Sequence, residues 1–512
     1  MKTLPIGISS FSKIRQDNYY YVDKTQFIHK LVTNGTYYFL SRPRRFGKSL
    51  LIDTLKQAFL AEKQYFKGLY LETNWDWQTK YPVIHISFGG GVIKSREVFD
   101  KSIHALIIEN ARNYEISITE EVLHFQFKEL IHKLHDKYQQ RVVILIDEYD
   151  KPILDNITNK ELAIQIREGL KNFYSVIKDC DQWLKFVFLT GVTKFSKVSL
   201  FSGLNNLTDM TLDSRYAEIC GYTEKEIIEV FSDRLENVNF SLLKRWYNGY
   251  NFLGTPVYNP FDVLLYLDSK QFINYWFETA TPSFLLKLIE QKKYFLPNLE
   301  NIKTTENLLS SFDIERIELE TILFQTGYLT ITGTKKLGAK EIYELSYPNL
   351  EVQTSFTEFI LNYLTTADLS SQENNKIALY ESLCAADFET LEKTFNALFA
   401  SIPYNWYVNN PMNEYEGYYA SVFYCYLAAL DVELIGEDTS NRDRIDLTVK
   451  IEDKIYIIEF KLKNQPMNAL QQIKERRYFE KYQNEQAAIY LIGVEFNPED
   501  KNIDSFEWEI MS

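Results

Sequence analysis

The sequence predicts a multidomain α/β protein, and three observations support that prediction. The chain has 512 residues, which is more than one hydrophobic core usually organises. Hydrophobic residues make up 45% of it and aromatic residues 15%, enough for packed cores and without the composition of extended disorder. Over residues 1–215, apolar runs of strand length alternate with helical stretches. That alternation is typical of a parallel sheet covered by helices.

The first two predicted regions are an α/β core and a lid. The core spans residues 1–215. Residues 216–285 look largely helical, and we predict that they form a helical lid on this core. Thr223 and Glu226 have the spacing of a capping box, which marks a helix start. The strand-like runs of the core lie at residues 37–40, 83–88, 142–146 and 186–189.

The second half of the chain contains two further predicted regions. Residues 286–370 are a mixed connecting region with a hairpin that turns at Gly333-Thr334 or at Gly338. Residues 371–512 form the last domain. This domain is predicted to begin with long helices over 376–400 and 415–430, then to continue with strands and a final helix-strand pair.

Charge and cysteine usage exclude several classes of protein. The net charge of -14 argues against indiscriminate coating of nucleic acid, which depends on Lys and Arg. The four cysteines are scattered without the close pairs of a zinc site or a disulfide framework, which favours a reducing cytoplasm. The first residues lack the apolar segment of a signal peptide, and the longest apolar runs have only strand length. We therefore predict a cytoplasmic protein that does not enter a membrane.

A candidate phosphate-binding loop lies near the N-terminus. An apolar strand leads through a short loop into an apolar helix, with Gly47, Lys48 and Ser49 at the turn. In such a loop, backbone N–H groups hold phosphate oxygens, the lysine reaches the β- and γ-phosphates and the serine hydroxyl binds Mg²⁺. The departure from the pattern G-x-x-x-x-G-K-[ST] is Arg42, which stands where the first glycine is expected. An ordinary helix start is the alternative. The predicted nucleotide-binding residues are Arg44, Arg45, Phe46, Gly47, Lys48, Ser49 and Leu50.

A second half of the same site follows the strand at 142–146. Asp147 and Glu148 end this buried run, as in the Walker B pattern. Asp147 is predicted to hold Mg²⁺ and Glu148 to polarise the attacking water. The alternative is a core strand that ends on solvated acids. Thr190 or Thr193, after the next strand, is a candidate sensor of the γ-phosphate or a simple strand-end threonine. The predicted cofactors are ATP and Mg²⁺.

A second constellation lies in the last domain. Asp446 starts one strand of a predicted hairpin, and Glu459 and Lys461 lie two residues apart on the other strand. Residues two apart share a strand face, so the hairpin brings these side chains together. Two carboxylates and a lysine suit phosphodiester cleavage with Mg²⁺ or Mn²⁺. A solvated edge hairpin is the alternative. Glu416 is a further candidate metal ligand or a helix-start acid.

Two other features bear on the nuclease prediction. All six histidines precede residue 136, which excludes histidine-dependent nuclease folds such as the HNH type in the last domain. A local basic helix suits a nucleic-acid backbone, although such a face is often only solvated. Its polar residues are Gln472, Lys474, Arg476, Arg477, Tyr478 and Lys481.

Across nearly the whole chain, the sequence resembles the bacterial family that pairs an AAA-ATPase-like domain with a PD-(D/E)XK nuclease domain. The resemblance implies that the missing first glycine is a family trait and that residues 21–25 lie near the adenine. It also implies a role in defence or mobile-element biology. The motifs that carry the resemblance are Leu4-Pro5-Ile6-Gly7, Tyr21-Val22-Asp23-Lys24-Thr25, Ser41 to Ser49, Asp147-Glu148-Tyr149-Asp150, Phe201 to Asn206, Trp246 to Tyr250, Arg444-Ile445-Asp446 and Ile458-Glu459-Phe460-Lys461.

The sequence therefore predicts an α/β P-loop NTPase domain with a helical lid, joined to a restriction-endonuclease-like α/β domain of the PD-(D/E)XK kind. The predicted function is ATP-regulated cleavage of nucleic acid, with DNA favoured over RNA. The alternative is a nucleotide-dependent switch whose nuclease-like domain only binds nucleic acid or a protein. A homo-oligomer is a further prediction, because ATPases of this build often take an arginine from a neighbouring subunit.

Overall fold

A computed structural model of the full chain describes residues 1–91, 93–195, 206–276, 284–292, 294–309, 312–364, 369–400, 416–430, 432–439, 444–500 and 502–511. The chain divides into two compact units. The N-terminal unit contains residues 1–280 and 304–343, and the C-terminal unit contains residues 281–303 and 344–512. The chain therefore passes from one unit to the other at 280/281, 303/304 and 343/344. The domain boundaries at residues 215, 285 and 370 stay predictions.

The N-terminal unit contains a parallel sheet. Its strands are β1 (Tyr37–Ser41), β2 (Val83–Ser87), β3 (Val142–Asp147), β4 (Leu184–Gly191) and the short β5 (Thr208–Asp209). They are ordered β2-β3-β4-β1-β5, and every neighbouring pair is parallel. The parallel sheet and the four predicted strand runs are confirmed. Because β4 lies between β1 and β3, the two halves of the predicted nucleotide site approach each other across the end of β4.

Helices flank this sheet and continue into the predicted lid. The lid helix that begins at Glu224 has the predicted capping box, in which Thr223 and Glu226 cap each other's backbone N–H groups. The helices are α1 (Phe11–Gln16), α2 (Thr25–Asn34), α3 (Lys48–Phe59), α4 (Arg96–Asn113), α5 (Leu123–Tyr138), α6 (Lys151–Leu154), α7 (Lys160–Asp179), α8 (Glu224–Val230), α9 (Phe240–Tyr247) and α10 (Pro260–Ser269).

The stretch after the lid is mixed, as predicted. The predicted hairpin turns at Gly338, whose φ of 61° places it in the left-handed region that favours glycine. A small sheet has the order β6-β8-β7, with the hairpin as two of its strands. The elements are α11 (Phe284–Lys292), β6 (Ile302–Thr305), α12 (Glu306–Leu309), α13 (Leu319–Thr326), β7 (Thr330–Leu337) and β8 (Lys340–Ser346).

Among the described residues, four helices begin the remainder of the C-terminal unit. They are α14 (Leu350–Leu364), α15 (Leu369–Ala385), α16 (Phe388–Ala400) and α17 (Glu416–Ala428). The single helix predicted over 376–400 is wrong, because Ala386 has a φ of 52° and ends α15. Asp387 then starts α16 by accepting hydrogen bonds from the Thr390 N–H at 3.1 Å and the Thr390 hydroxyl at 2.6 Å.

The C-terminal sheet is mixed. It has the order β13-β12-β11-β10-β9, in which β11 and β12 are parallel and the other neighbours are antiparallel. Only one closing strand was predicted after the last helix, but β12 and β13 form an antiparallel pair there. The elements are β9 (Glu433–Thr439), β10 (Arg444–Ile451), β11 (Lys454–Leu462), α18 (Ala469–Arg476), β12 (Ala488–Asn497) and β13 (Asn502–Met511).

The hairpin β10–β11 lies inside this sheet and is buried on both faces. On one face, the ring of Phe460 contacts that of Phe423 on α17, with centroids 5.1 Å apart. On the other face, Ile457 belongs to the same apolar cluster as Ile473 on α18. The alternative of a solvated edge hairpin is therefore wrong, because β11 lies between β10 and β12.

Candidate functional site

The loop between β1 and α3 presents the first turn of a helix to a cavity. Gly47, the residue before α3, has a φ of 87°, which is left-handed backbone that glycine adopts without strain. It provides no side-chain hydrogen bond to the first turn of α3. Backbone N–H groups of a first helical turn have no partner within the helix, so they are available to an anion.

Lys48 is folded back into this loop. The residue is 7% exposed, and its Nζ donates hydrogen bonds to the carbonyl oxygens of Arg42 at 2.9 Å and Pro43 at 2.8 Å. Burial lowers the pKa of Lys48, and the carboxylates of Asp147 and Asp150 oppose that effect. The loop therefore holds a buried cationic group beside the N-terminus of α3.

Asp147 and Glu148 lie at the end of β3, next to Thr190 at the end of β4. The Thr190 hydroxyl donates to the Asp147 carboxylate at 2.6 Å. Glu148 is half-buried and has a φ of 52°, an uncommon backbone conformation for a residue other than glycine. Burial raises the pKa of Glu148, and the neighbouring charge of Asp147 raises it further. A raised pKa makes this carboxylate a stronger base, which suits a group that accepts a proton from water.

Asp150 serves the local structure. It is 1% exposed, and its carboxylate accepts hydrogen bonds from the Val192 N–H at 3.0 Å and from the Thr193 hydroxyl at 2.6 Å. Burial raises the pKa of Asp150, while the hydrogen bonds from Thr193 oppose the rise. The two candidate threonines thus contact different acids, Thr190 the acid at the strand end and Thr193 the acid that holds the loop after β4.

One cavity of about 610 Å³ joins these groups. All seven predicted nucleotide-binding residues, from Arg44 to Leu50, line it, and so do Glu148 and Asp150. The rest of the wall is largely apolar and comes from residues 5–9, 20–24, 219–222 and 260–264. The volume is in the range of small-molecule sites, and the wall combines a polar end with an apolar end.

The segment 20–24 beside this wall is held by α8 and by residues 25 and 70. Lys24 pairs with Glu226 of α8 at 2.6 Å, with side-chain exposures of 11% and 19%. Asp23 accepts hydrogen bonds from the backbone N–H groups of Thr25 and Tyr70, both at 2.8 Å. The position of α8 is therefore tied to the wall of the cavity.

In the C-terminal unit, the hairpin places Asp446 beside Glu459. Leu447 pairs with Ile458, so Asp446 and Glu459 are the next opposed residues, and opposed residues share a sheet face. The Asp446 carboxylate accepts a hydrogen bond from the Phe460 N–H at 2.9 Å. Lys461 is half-buried and lies two residues beyond Glu459, on the same face of β11. The predicted juxtaposition of these three residues is thus present in the register.

Gln472 is a site residue whose contact was missed from the sequence. Its side-chain amide on α18 donates a hydrogen bond to the carboxylate of Glu459, which is 3% exposed. The strand position beside Glu459 is Gly493, where a Cβ atom would lie 2.3 Å from the Leu470 nitrogen. Glycine therefore lets the start of α18 lie directly on β12. The basic composition of the helix obscured this inward-facing amide.

Asp438 was missed as well. This residue is 3% exposed, and its carboxylate accepts hydrogen bonds from the Thr448 hydroxyl at 2.9 Å, the Lys481 ammonium and the Tyr482 hydroxyl. Thr448 is two residues from Asp446 on β10, so this cluster neighbours the candidate site. No sequence signal distinguishes Asp438 from the adjacent acid Glu437.

The helix predicted to offer basic side chains to nucleic acid has many of them paired. Lys474 pairs with Glu509, Arg477 with Glu480 and Lys481 with Asp438. These pairs reduce the positive charge available to a phosphate backbone. The prediction of a basic nucleic-acid face at this helix is therefore weakened.

The candidate metal ligands of the C-terminal unit fit a hard cation in type. Asp446 and Glu459 supply carboxylate oxygens, the donor that Mg²⁺ and Mn²⁺ prefer. Glu416 begins α17, but its side chain lies outside the described residues. Within the described part of the chain, no cluster of three or more His, Cys, Asp or Glu side chains is arranged for a metal ion. Among the described residues, Asp446 and Glu459 are the acids that would hold such an ion.

Together the parallel sheet with its phosphate-type loop and the mixed sheet with its paired acids define the class of protein. It combines a P-loop α/β domain with a PD-(D/E)XK-like domain. The chain matches the family model described as Predicted AAA-ATPase over residues 5–201 and the model described as PD-(D/E)XK nuclease superfamily over residues 414–506.

A relative from Azotobacter chroococcum mcd 1, named Uncharacterized protein in vnfD 5'region, is 48% identical over 509 residues. The alignment covers 99% of this chain and 98% of the relative. The chain therefore belongs to the family that joins a predicted AAA-ATPase domain to a C-terminal PD-(D/E)XK nuclease superfamily domain, as the sequence motifs implied. Among the described residues, no helix is long and apolar enough to cross a membrane.

Proposed function

We propose that this protein binds and hydrolyses ATP and that its nucleotide state controls metal-dependent cleavage of nucleic acid by the C-terminal unit. The observation that carries the proposal is the pairing of Asp446 with Glu459 in the register of a buried hairpin, with Lys461 on the same face. Burying a carboxylate is costly unless it has a partner or a function.

The N-terminal unit is proposed to supply the ATPase activity. Lys48 would leave its two carbonyl partners and bind the β- and γ-phosphates, while Ser49 and Asp147 would hold Mg²⁺. The exposed Arg44 and Arg45, which line the cavity, would add contacts to the phosphates. Glu148 would orient and deprotonate the attacking water. Tyr20, Tyr21 and Val22, which line the cavity, would contact the adenine.

The C-terminal unit is proposed to cleave phosphodiesters. A Mg²⁺ or Mn²⁺ ion held by Asp446 and Glu459 would lower the pKa of a bound water and polarise the phosphate. Lys461 would stabilise negative charge that develops on the phosphate oxygens. Gln472 holds the Glu459 carboxylate in one orientation, which keeps its oxygens directed at a fixed point.

The second candidate function is a nucleotide-dependent switch whose nuclease-like unit binds without cleaving. It is favoured by the ion pairs of Lys474 on α18 and of Lys481 beyond its end, and by the net charge of -14, all of which limit unspecific affinity for nucleic acid. Under this alternative, ATP turnover would persist, and the unit that contains Asp446 and Glu459 would bind nucleic acid or a protein without cleaving it. Action in the cytoplasm, a homo-oligomeric state and a preference for DNA over RNA remain parts of the first proposal.

The test is cleavage of linear DNA, circular DNA and RNA in Mg²⁺ or Mn²⁺, with and without ATP. We expect K461A to lower the cleavage rate by about a hundredfold. The matched control is K463A, because Lys463 lies two residues further on and its ammonium pairs with Asp504 at 2.7 Å. We expect K48A to change the response to ATP and to leave the ATP-independent rate unaltered. Intact ATP turnover without metal-dependent cleavage of any substrate would favour the switch.

A further inference from the structure

Arg42 directly follows β1, at the position where the phosphate-loop pattern has its first glycine. The residue is 1% exposed. Its Nη1 donates hydrogen bonds to the carbonyl oxygens of Ser41 at 2.9 Å and Thr211 at 2.8 Å, and its Nη2 donates to the carbonyl oxygen of Tyr216 at 3.2 Å. The guanidinium thereby connects the start of the loop to the segment after β5.

The same guanidinium also contacts the predicted lid. Its central carbon lies 3.8 Å from the centre of the Phe252 ring, a cation–π geometry. The Phe252 ring in turn meets the ring of Phe46 edge to face, with centroids 6.1 Å apart. Phe46 precedes Gly47 in the loop. Phe252 therefore contacts the first residue of the loop and a residue near its end.

The Arg42 guanidinium is a buried cation whose direct contacts are neutral groups, while the more distant charge of Asp209 opposes the effect of burial on its pKa. Its contacts in the described part of the chain are backbone carbonyls and an aromatic ring. Burial lowers the pKa of Arg42 to about 10, so the side chain keeps its proton at neutral pH. The charge of Asp209 does not cancel the effect of burial, and a buried cation that no carboxylate contacts directly is costly for stability, which argues that the fold retains it for another reason.

The backbone of Arg42 links this buried group to Lys48. The carbonyl oxygen of Arg42 is one of the two acceptors of the Lys48 ammonium, and the other belongs to Pro43. Arg44 and the seven residues after it line the cavity, but Arg42 does not. Arg42 therefore acts on a nucleotide indirectly, through the loop, and not by direct contact.

We propose that Arg42 is a positioning residue for the nucleotide site. Its guanidinium holds the start of the phosphate loop, and with it the carbonyl groups that orient Lys48, against the segment after β5 and against Phe252. This inference rests on the proposed binding of ATP in the cavity. It has an unusual consequence, because R42G restores the standard glycine pattern and yet should weaken nucleotide binding in this protein.

The experiment compares R42G, R42M and R42K with the wild type, all as full-length protein. The control is R215M, because the Arg215 side chain lies on the segment that Arg42 holds but is 60% exposed and pairs with Asp213. Two quantities are measured: hydrogen exchange of the backbone amides at residues 42–49 without nucleotide, and the affinity for a fluorescent ATP analogue with Mg²⁺. The KM and kcat for ATP hydrolysis complete the comparison.

We expect R42M and R42G to exchange the loop amides faster and to bind the analogue about tenfold or more weakly, since several hydrogen bonds of a charged group are lost. KM should rise far more than kcat falls, which is the signature of lost binding rather than of lost folded protein. R42K keeps the charge without the planar fork and should lie between R42M and the wild type. R215M should match the wild type.

Unchanged loop exchange in R42M would overturn the inference, and so would a fall in kcat at constant KM. If R42M does not fold, R42K is the test. An affinity of R42K for the ATP analogue equal to that of the wild type would also overturn the inference. A wild type that binds no ATP analogue would refute the proposed function instead. Even then, the exchange of the loop amides in R42M and R42K would still decide whether Arg42 holds the loop.

Discussion

The two candidate sites are assembled in different ways. In the N-terminal unit, seven consecutive residues from Arg44 to Leu50 line the cavity, and the acids follow at the end of β3. In the C-terminal unit, Asp446 and Glu459 lie on two strands, and Gln472 reaches them from α18. The first site joins a continuous loop to acids from a strand far along the chain, whereas the acids of the second site come from one hairpin and contact the helix that follows it.

Buried charges also differ between regions. The Lys48 ammonium contacts two backbone carbonyls beside a cavity of about 610 Å³. The Asp438 carboxylate, by contrast, contacts the ammonium of Lys481 within a packed cluster. A buried charge with an opposite partner is compensated within the fold, whereas Lys48 is placed to exchange weak neutral partners for a stronger anionic one. Because Lys48 also lines the cavity, which buried Arg42 does not, we expect Lys48 to be a group that binds a ligand.

The largest expected effect tests the charge of Lys48. We expect K48M to weaken the affinity for ATP by about a hundredfold, because charge-assisted hydrogen bonds to the phosphates are lost. The measurement is equilibrium titration with a fluorescent ATP analogue. K56M, in the last turn of the same helix, is the control and should bind normally. If K48M binds as well as the wild type, the contrast between Lys48 and Asp438 has no functional meaning.

The next effect tests the packing that completes the second site. G493A should destabilise the C-terminal unit by about 3 kcal/mol, because its Cβ would lie 2.3 Å from the Leu470 nitrogen. G90A is the matched control, since a Cβ at Gly90 meets no atom within 4 Å. Urea unfolding followed by hydrogen exchange in α18 measures the loss. Equal stability of both variants would show that α18 does not lie on β12 as described.

The next prediction concerns the pH dependence of stability in the C-terminal unit, which contains the buried acid Glu300. Burial raises the pKa of Glu300 to about 7, although Tyr424 and Gln353 donate hydrogen bonds to its carboxylate at 2.5 and 2.8 Å. Because the folded state holds this proton more tightly than the unfolded state, its stabilising contribution is complete at low pH and is lost as pH rises from about 4.5 to 7.

Between pH 5 and 8, the C-terminal unit should therefore lose about 2 kcal/mol through this group. E300Q should remove this dependence of stability on pH. E433Q, whose side chain is 64% exposed in the wild type, should keep it. Urea titrations at both pH values, with exchange of the amides in α17 as the local probe, measure it. An E300Q protein with the full wild-type slope would rule out Glu300 as the source.

The smallest expected effect concerns the contact between lid and cavity wall. K24M and E226Q should each lower stability by about 1 kcal/mol and weaken ATP binding by about threefold, because residues 20–24 line the cavity. A double-mutant cycle isolates the pair. K225M is the control, since Lys225 lies on the same helix with a side chain that is 82% exposed. Additive effects of K24M and E226Q would show that the pair does not couple the lid to the site.

Much of the fold was predictable where the pattern is local. The strands β1 to β4, the capping box at Thr223 and the hairpin β10–β11 follow from apolar runs, alternation and turn chemistry over a few residues. The sequence left two positions open for the turn between β7 and β8, and the structure places it at Gly338 rather than at Gly333-Thr334. The split between α15 and α16 was not predicted, because apolar periodicity continues through Ala386. The crossings between the units at 280/281, 303/304 and 343/344 leave no composition signal either.

By itself, the sequence determined the chemistry of both sites. The glycine, lysine and serine of the loop, the acids after β3, and the Asp446, Glu459 and Lys461 spacing are local patterns whose geometry is set by a turn or a strand. Only the tertiary structure decided which partners those groups have. Arg42 turns inward to carbonyls after β5, Gln472 reaches Glu459, and Lys481 neutralises Asp438. These contacts join segments that are 13 to 169 residues apart, and sequence spacing does not encode how such segments pack.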